Sequence, residues 1–139
     1  MTNASRDTTT GLQFEEQVQI KSSGINLTKH NLYSYLKKIG VNWEDYISRR
    51  LLPDEAYFDP ETKVFSIYEK KYQHVDGSAD EKLQTCAFKI RQYEKLGKAM
   101  GAEKVTYTYV LSSWFKMPKY KDVLEYINTV PGCSYQIVE

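Results

Sequence analysis

The chain has 139 residues, of which 41% are hydrophobic and 27% charged, and carries a formal net charge of +1. That length supports one core and leaves no room for a separate recognition domain, so any specificity must be built into the same fold or a dimer of it. A charge this close to neutral does not announce a nucleic-acid partner, so a DNA substrate would require clustered basic residues, and no apolar run approaches the roughly twenty residues that span a bilayer.

Residues 1–10, MTNASRDTTT, are polar and read as a disordered lead, with a single domain over residues 11–139. From Gly11 a helical pattern sets Phe14 and Val18 one turn apart, with Glu15 beside that stripe. Asn26 to Ile39 predicts a second helix with Leu32, Tyr35, Leu36 and Ile39 inward. Asn42 to Arg50 predicts a third, with Trp43, Tyr46 and Ile47 inward. His30 and His74 lie far apart without companion ligands and read as polar surface residues.

The stretch PDEAYFDPETKVFSIYEKKYQ, Pro53 to Gln73, is the richest in chemistry. Asp54 to Asp59 and Val64 to Gln73 read as two strands joined by the loop Pro60-Glu61-Thr62-Lys63. With Asp59 opposite Val64, position 54 falls opposite position 69. Ala56, Phe58, Phe65 and Ile67 then share a buried face, and Asp54, Glu69 and Lys71 gather at one end of it. Asp59 is a rival for the first acid, although Asp59-Pro60 is more simply a turn.

Beyond Gln73 comes a turn at Val75-Asp76-Gly77, and Ser78-Ala79-Asp80-Glu81 fits a capping box opening a long helix to about Lys98. Its packing stripe is Leu83, Cys86, Ala87, Ile90, Tyr93 and Gly97. Lys82, Lys89 and Arg91 give it a basic surface that would neutralise phosphates if the helix faces DNA. Lys104 to Leu111 reads as a strand and Ser112 to Phe115 as the start of a loop. Lys119 to Asn128 reads as a short helix and Ser134 to Val138 as a last strand, after which the chain stops as if trimmed. Trp114 and Phe115 look exposed, and beside Lys116 they are candidates to stack on bases; packing or a dimer contact is the other reading. The order predicts an α/β fold, a mixed central sheet flanked by helices. Cys86 and Cys133 have no metal spacing and read as reduced thiols of a cytoplasmic protein.

Two carboxylates held close together raise each other's pKa unless a cation intervenes, and a hard divalent ion with oxygen ligands is the natural partner. Mg²⁺, with Mn²⁺ as a substitute, could polarise a phosphate oxygen while an adjacent lysine positions water. Gln73, on the same predicted face, is a candidate contact to a phosphate or a base edge. The chemistry implied is phosphodiester hydrolysis.

Pro53-Asp54, then fourteen residues, then Glu69-Lys70-Lys71 resembles the PD-(D/E)xK signature of the restriction-endonuclease-like nucleases. The phrase EKKYQHVDGSADEKLQTCAFKIRQYEKL resembles a group of small type II restriction endonucleases. The resemblance covers most of the chain after the first ten residues. It implies a restriction-endonuclease-like core, with Asp54, Glu69 and the backbone carbonyl of Lys70 as metal ligands and Lys71 as the water-positioning group. It further implies that Glu15 reaches the metal through water. A homodimer acting on double-stranded DNA follows from it, with a companion DNA methyltransferase as a further expectation. A structure-specific nuclease such as a Holliday-junction resolvase shares the motif, and an inert DNA-binding or interaction module could keep the fold without hydrolysis.

Overall fold

The computed structural model describes residues 24–73 and 79–138. The predicted helix at Phe14 and Val18, Glu15, the lead at 1–10, His74 and the turn at 75–77 lie outside the described residues. The element order is β1 (Ile25–Asn26), α1 (Asn31–Lys38), β2 (Glu55–Asp59), β3 (Val64–Lys71), α2 (Ala79–Leu83), α3 (Cys86–Met100), β4 (Lys104–Ser112), α4 (Lys121–Thr129) and β5 (Cys133–Val138). The strands form one mixed sheet of five in chain order. β1, β2 and β3 are antiparallel neighbours, whereas β3, β4 and β5 run parallel.

The hairpin forms because its loop is chemically suited to turn. The Asp59 carboxylate accepts the backbone N–H groups of Glu61 at 2.9 Å and Thr62 at 3.5 Å, and Lys63 N–H reaches the Asp59 carbonyl at 2.7 Å. Asp59 therefore pairs with Val64, Phe58 with Phe65 and Ala56 with Ile67, the register expected from the alternation. Ala56, Phe58, Phe65 and Ile67 are all buried.

Helix α3 covers this face. Tyr93 meets Phe65 edge-on at 6.0 Å and stacks on Tyr107 of β4 at 5.9 Å. Gly97 lets the helix come this close, since a Cβ there would stand 2.9 Å from Val105 Cγ2 and 3.4 Å from Phe65 Cδ2. Leu124 of α4 lines a cavity with Phe115, Tyr135 and Ile137, which puts α4 against β5. β4 lies between two parallel neighbours, and its residues from Tyr107 to Ser112 are buried on both faces.

Three helical expectations are corrected. The helix expected from Asn26 starts at Asn31, because Asn26 pairs with Tyr57 and its side chain accepts the Thr28 N–H at 2.8 Å, which uses residues 26–30 as strand end and turn. Ile39 is exposed at its end, and Tyr33, not expected inward, is buried. The helix expected over 42–50 is only a 3₁₀ turn at Trp43–Asp45, with Tyr46 exposed. Tyr33 explains why: its hydroxyl donates to the Leu51 carbonyl and accepts the Leu51 N–H, both at 2.6 Å, which holds the following chain extended. The long helix after Gly77 is interrupted at Gln84 and Thr85. Thr85 Oγ1 donates to the Lys82 carbonyl at 2.6 Å and the backbone there forms i→i+3 bonds, the competition expected of a threonine hydroxyl inside a helix.

Candidate active site

The parallel strands β3 and β4 end at Lys71 and Ser112, on the same side of the sheet where antiparallel β2 begins and where β1 gives way to the 27–30 loop. Four chain segments thus meet beyond the carboxyl ends of parallel strands, the place where open sheets bind ligands. Backbone bonds fix the meeting point: Leu27 N–H reaches the Ala56 carbonyl at 2.7 Å, Lys29 N–H the Pro53 carbonyl at 2.9 Å, and Ala56 N–H the Thr28 hydroxyl at 3.3 Å.

Asp54 sits immediately before β2, and the hairpin register extended by one residue sets it opposite Glu69. Its Oδ2 accepts the Lys70 backbone N–H at 2.8 Å, and its Oδ1 accepts the Lys29 ammonium at 2.8 Å. Glu69 is buried, with the Asp54 carboxylate as its neighbour. Burial foremost, then the Asp54 charge and the hydrogen bond to it, push the Glu69 carboxyl up to about 8, against the opposing charges of Lys71 and Lys89. Burial also pushes Asp54 upward, yet Lys29, the hydrogen bond from Glu69 and the Lys70 N–H outweigh it and hold Asp54 below the usual carboxylate range. The surroundings thus hold the two carboxyls apart in acidity, Glu69 raised and Asp54 lowered.

Lysines surround this pair. Lys71 follows on the same strand, and Lys89 reaches in from α3. Burial lowers the Lys89 ammonium, with the charges of Lys71 and Lys82 adding to that and those of Glu69 and Asp54 opposing it. Beneath the acids lie Tyr93, Tyr107 and Tyr109, and the Tyr107 hydroxyl is buried with no hydrogen-bond partner among the described residues.

Comparison with protein families, curated proteins and solved structures finds no significant match to this chain.

Asp54, Glu69, Lys71 and Lys89 are brought together, and Lys82 stands near enough for its charge to reach Lys89. Asp59 is placed at the far end of the hairpin, opposite Val64, and is occupied in its turn. Gln73 turns away from the acids: its side-chain amide donates to the Tyr120 hydroxyl at 3.0 Å and its backbone N–H to Ser112 Oγ at 3.3 Å. Arg91, two residues beyond Lys89, lies about 200° further round the helix and is exposed on the other side. The exposed appearance of Trp114 and Phe115 is corrected. Phe115 is fully buried, 4.9 Å from the Tyr120 ring, and Trp114 is half-buried with its indole N–H donating to the Tyr120 hydroxyl at 2.7 Å, while Lys116 is exposed. Packing, not base stacking, accounts for the two rings. Lys29 escapes the sequence, because the pattern over 26–39 predicts one helix and no local pattern ties a lysine to an acid 25 positions onward.

Among the described residues no group of three or more His, Cys, Asp or Glu side chains is placed to hold a metal. Two carboxylates and a strand carbonyl are the available donors. Lys70 points its N–H to the edge where Asp54 lies, and in a strand the carbonyl of a residue points to the same edge as its N–H. An all-oxygen set of this kind suits a hard divalent ion. No helix among the described residues is long and apolar enough to cross a membrane.

Proposed function

We propose that the chain is a Mg²⁺-dependent endonuclease of double-stranded DNA, a type II restriction endonuclease built on a restriction-endonuclease-like core. The observation that carries this reading is the juxtaposition of half-buried Asp54 and buried Glu69 at the carboxyl end of parallel strands, with Lys71 and Lys89 beside them. Two acids brought side by side in a partly buried site are costly for stability alone and reasonable for cation binding.

In this reading Asp54, Glu69 and the Lys70 carbonyl hold Mg²⁺ or Mn²⁺. The ion supplies Lewis acidity toward a phosphate oxygen and a lowered pKa for its water. Lys71 orients the attacking water and offsets charge developing on the phosphoryl oxygens. Lys89 and Lys82 extend the positive field toward the DNA backbone, and Lys116 lies beyond the end of β4 as a candidate phosphate contact. One site cuts one strand, so cutting both strands of a palindrome calls for a homodimer. A companion methyltransferase would protect host DNA.

Incubation of the purified protein with long unmethylated duplex, in Mg²⁺ or in EDTA, followed by sequencing of product ends, tests the proposal. Mg²⁺-dependent fragments with a common end sequence are expected. Cutting confined to four-way junctions would replace the restriction reading with a resolvase. Absence of cleavage on any DNA in Mg²⁺ or Mn²⁺ would overturn it in favour of an inert DNA-binding or interaction module.

A further inference from the structure

Lys29 is placed where a cation is needed, by a backbone that does not need its side chain. The 27–30 loop is already tied to the start of β2 by Leu27 N–H on the Ala56 carbonyl, Lys29 N–H on the Pro53 carbonyl and the Thr28 hydroxyl under Ala56 N–H. Lys29 itself has a left-handed φ of 51°, uncommon for a residue with a Cβ. Its ammonium lies on Asp54 Oδ1 at 2.8 Å, with the lysine side chain 48% exposed and the Asp54 side chain 15% exposed. One oxygen of the candidate ligand is thus covered by a flexible point charge reaching in from solvent.

We propose that Lys29 is a displaceable cation for Asp54: its ammonium holds the carboxylate in the metal-free protein, and a divalent ion entering the acid pair drives it out toward the solvent side, where substrate phosphate arrives. The inference rests on the metal reading of Asp54 and Glu69. Its chemistry is an exchange of one positive partner for another. An ammonium on a four-carbon stem can make that exchange by rotamer change, whereas the backbone bonds keep the loop in place. Lys29 would then couple metal loading to phosphate capture, as a positioning residue in the loaded site.

Calorimetric titration with Mn²⁺ in the absence of DNA separates the possibilities. Lys29→Met removes the competing charge, and Lys29→Gly removes it while relieving the left-handed strain, so that a folded variant is available in either case. Both variants should bind Mn²⁺ about fivefold more tightly than the unaltered protein, the ratio that corresponds to ~1 kcal/mol for a half-exposed ion pair. In parallel, amine acetylation read by mass spectrometry should find Lys29 of the unaltered protein labelled faster in Mg²⁺ than in EDTA. Mn²⁺ binding by the unaltered protein with no tightening in the variants, or labelling of Lys29 that ignores Mg²⁺, overturns the displacement alone. Failure of both the unaltered protein and the variants to bind Mn²⁺ overturns the metal reading and this inference with it.

Discussion

Strand β3 carries a charged cluster on each face, one residue apart in sequence, and the two are balanced in opposite ways. On one face Lys70 Nζ pairs with Glu55, both largely buried, and Tyr57 adds a hydroxyl to the same carboxylate at 2.7 Å. Among the described residues one acid there meets one base. On the other face Asp54 and Glu69 meet each other, and burial with the Asp54 charge raises the Glu69 carboxyl against the pull of the lysines nearby. Successive side chains of a strand point to opposite faces, so the same run of charged letters can produce a structural pair and a reactive one. The contrast separates an acid matched by a base from two acids set against each other.

The largest effect is expected from Asp54, the proposed metal ligand. Asp54→Asn should reduce Mg²⁺-dependent nicking of plasmid DNA by about a thousandfold while the far-ultraviolet circular dichroism stays unchanged, since it removes a charge used in the transition state and little packing. An activity loss matched by loss of the folded spectrum would return Asp54 to a structural role.

Breaking the Lys70–Glu55 pair should do the reverse. Lys70→Met leaves the largely buried Glu55 without this base and should cost about 3 kcal/mol in urea denaturation, with the Lys70 backbone carbonyl unchanged. Restoring stability with the added change Glu55→Leu would establish that the pair serves the fold.

The smallest effect sharpens the contrast through pH. In EDTA the Glu69 carboxyl titrates near 8 in the folded protein, above its ordinary value of 4.5. The native state therefore keeps a proton that the unfolded chain gives up, and stability is present at low pH and lost as pH rises from about 4.5 through about 8. Glu69→Gln should flatten that slope and stabilise the metal-free protein at pH 8 by about 1–2 kcal/mol. An unchanged slope in the variant would mean that Glu69 does not hold the proton.

What could be read beforehand follows from how far each interaction reaches along the chain. The hairpin register was legible because Asp59 and Lys63 define a short turn, and a strand alternating every second residue leaves one pairing that buries Phe58 with Phe65. Asp54 and Glu69 came with it. The helix stripe Leu83, Cys86, Ala87, Ile90, Tyr93 and Gly97 is legible for the same reason, and all but half-buried Ala87 are buried despite the break at Thr85. The path of residues 26–51 was not legible, since it depends on Asn26 joining β2 and on Tyr33 gripping Leu51 eighteen residues on. Lys29 could not be found without that path. Lys89 was found as a basic surface residue, and only the placement of α3 over the sheet aimed it at Glu69.

The absent side chain of Gly97 sets the spacing between α3 and the sheet, and Lys89 rides on the same helix about two turns away. A single methyl at 97 would act as a shim, lifting the lever that carries the lysine. Mechanical tolerance in the hydrophobic layer is thereby converted into chemical tolerance at the carboxylates, so a residue that touches no substrate can govern how sharply the site is tuned.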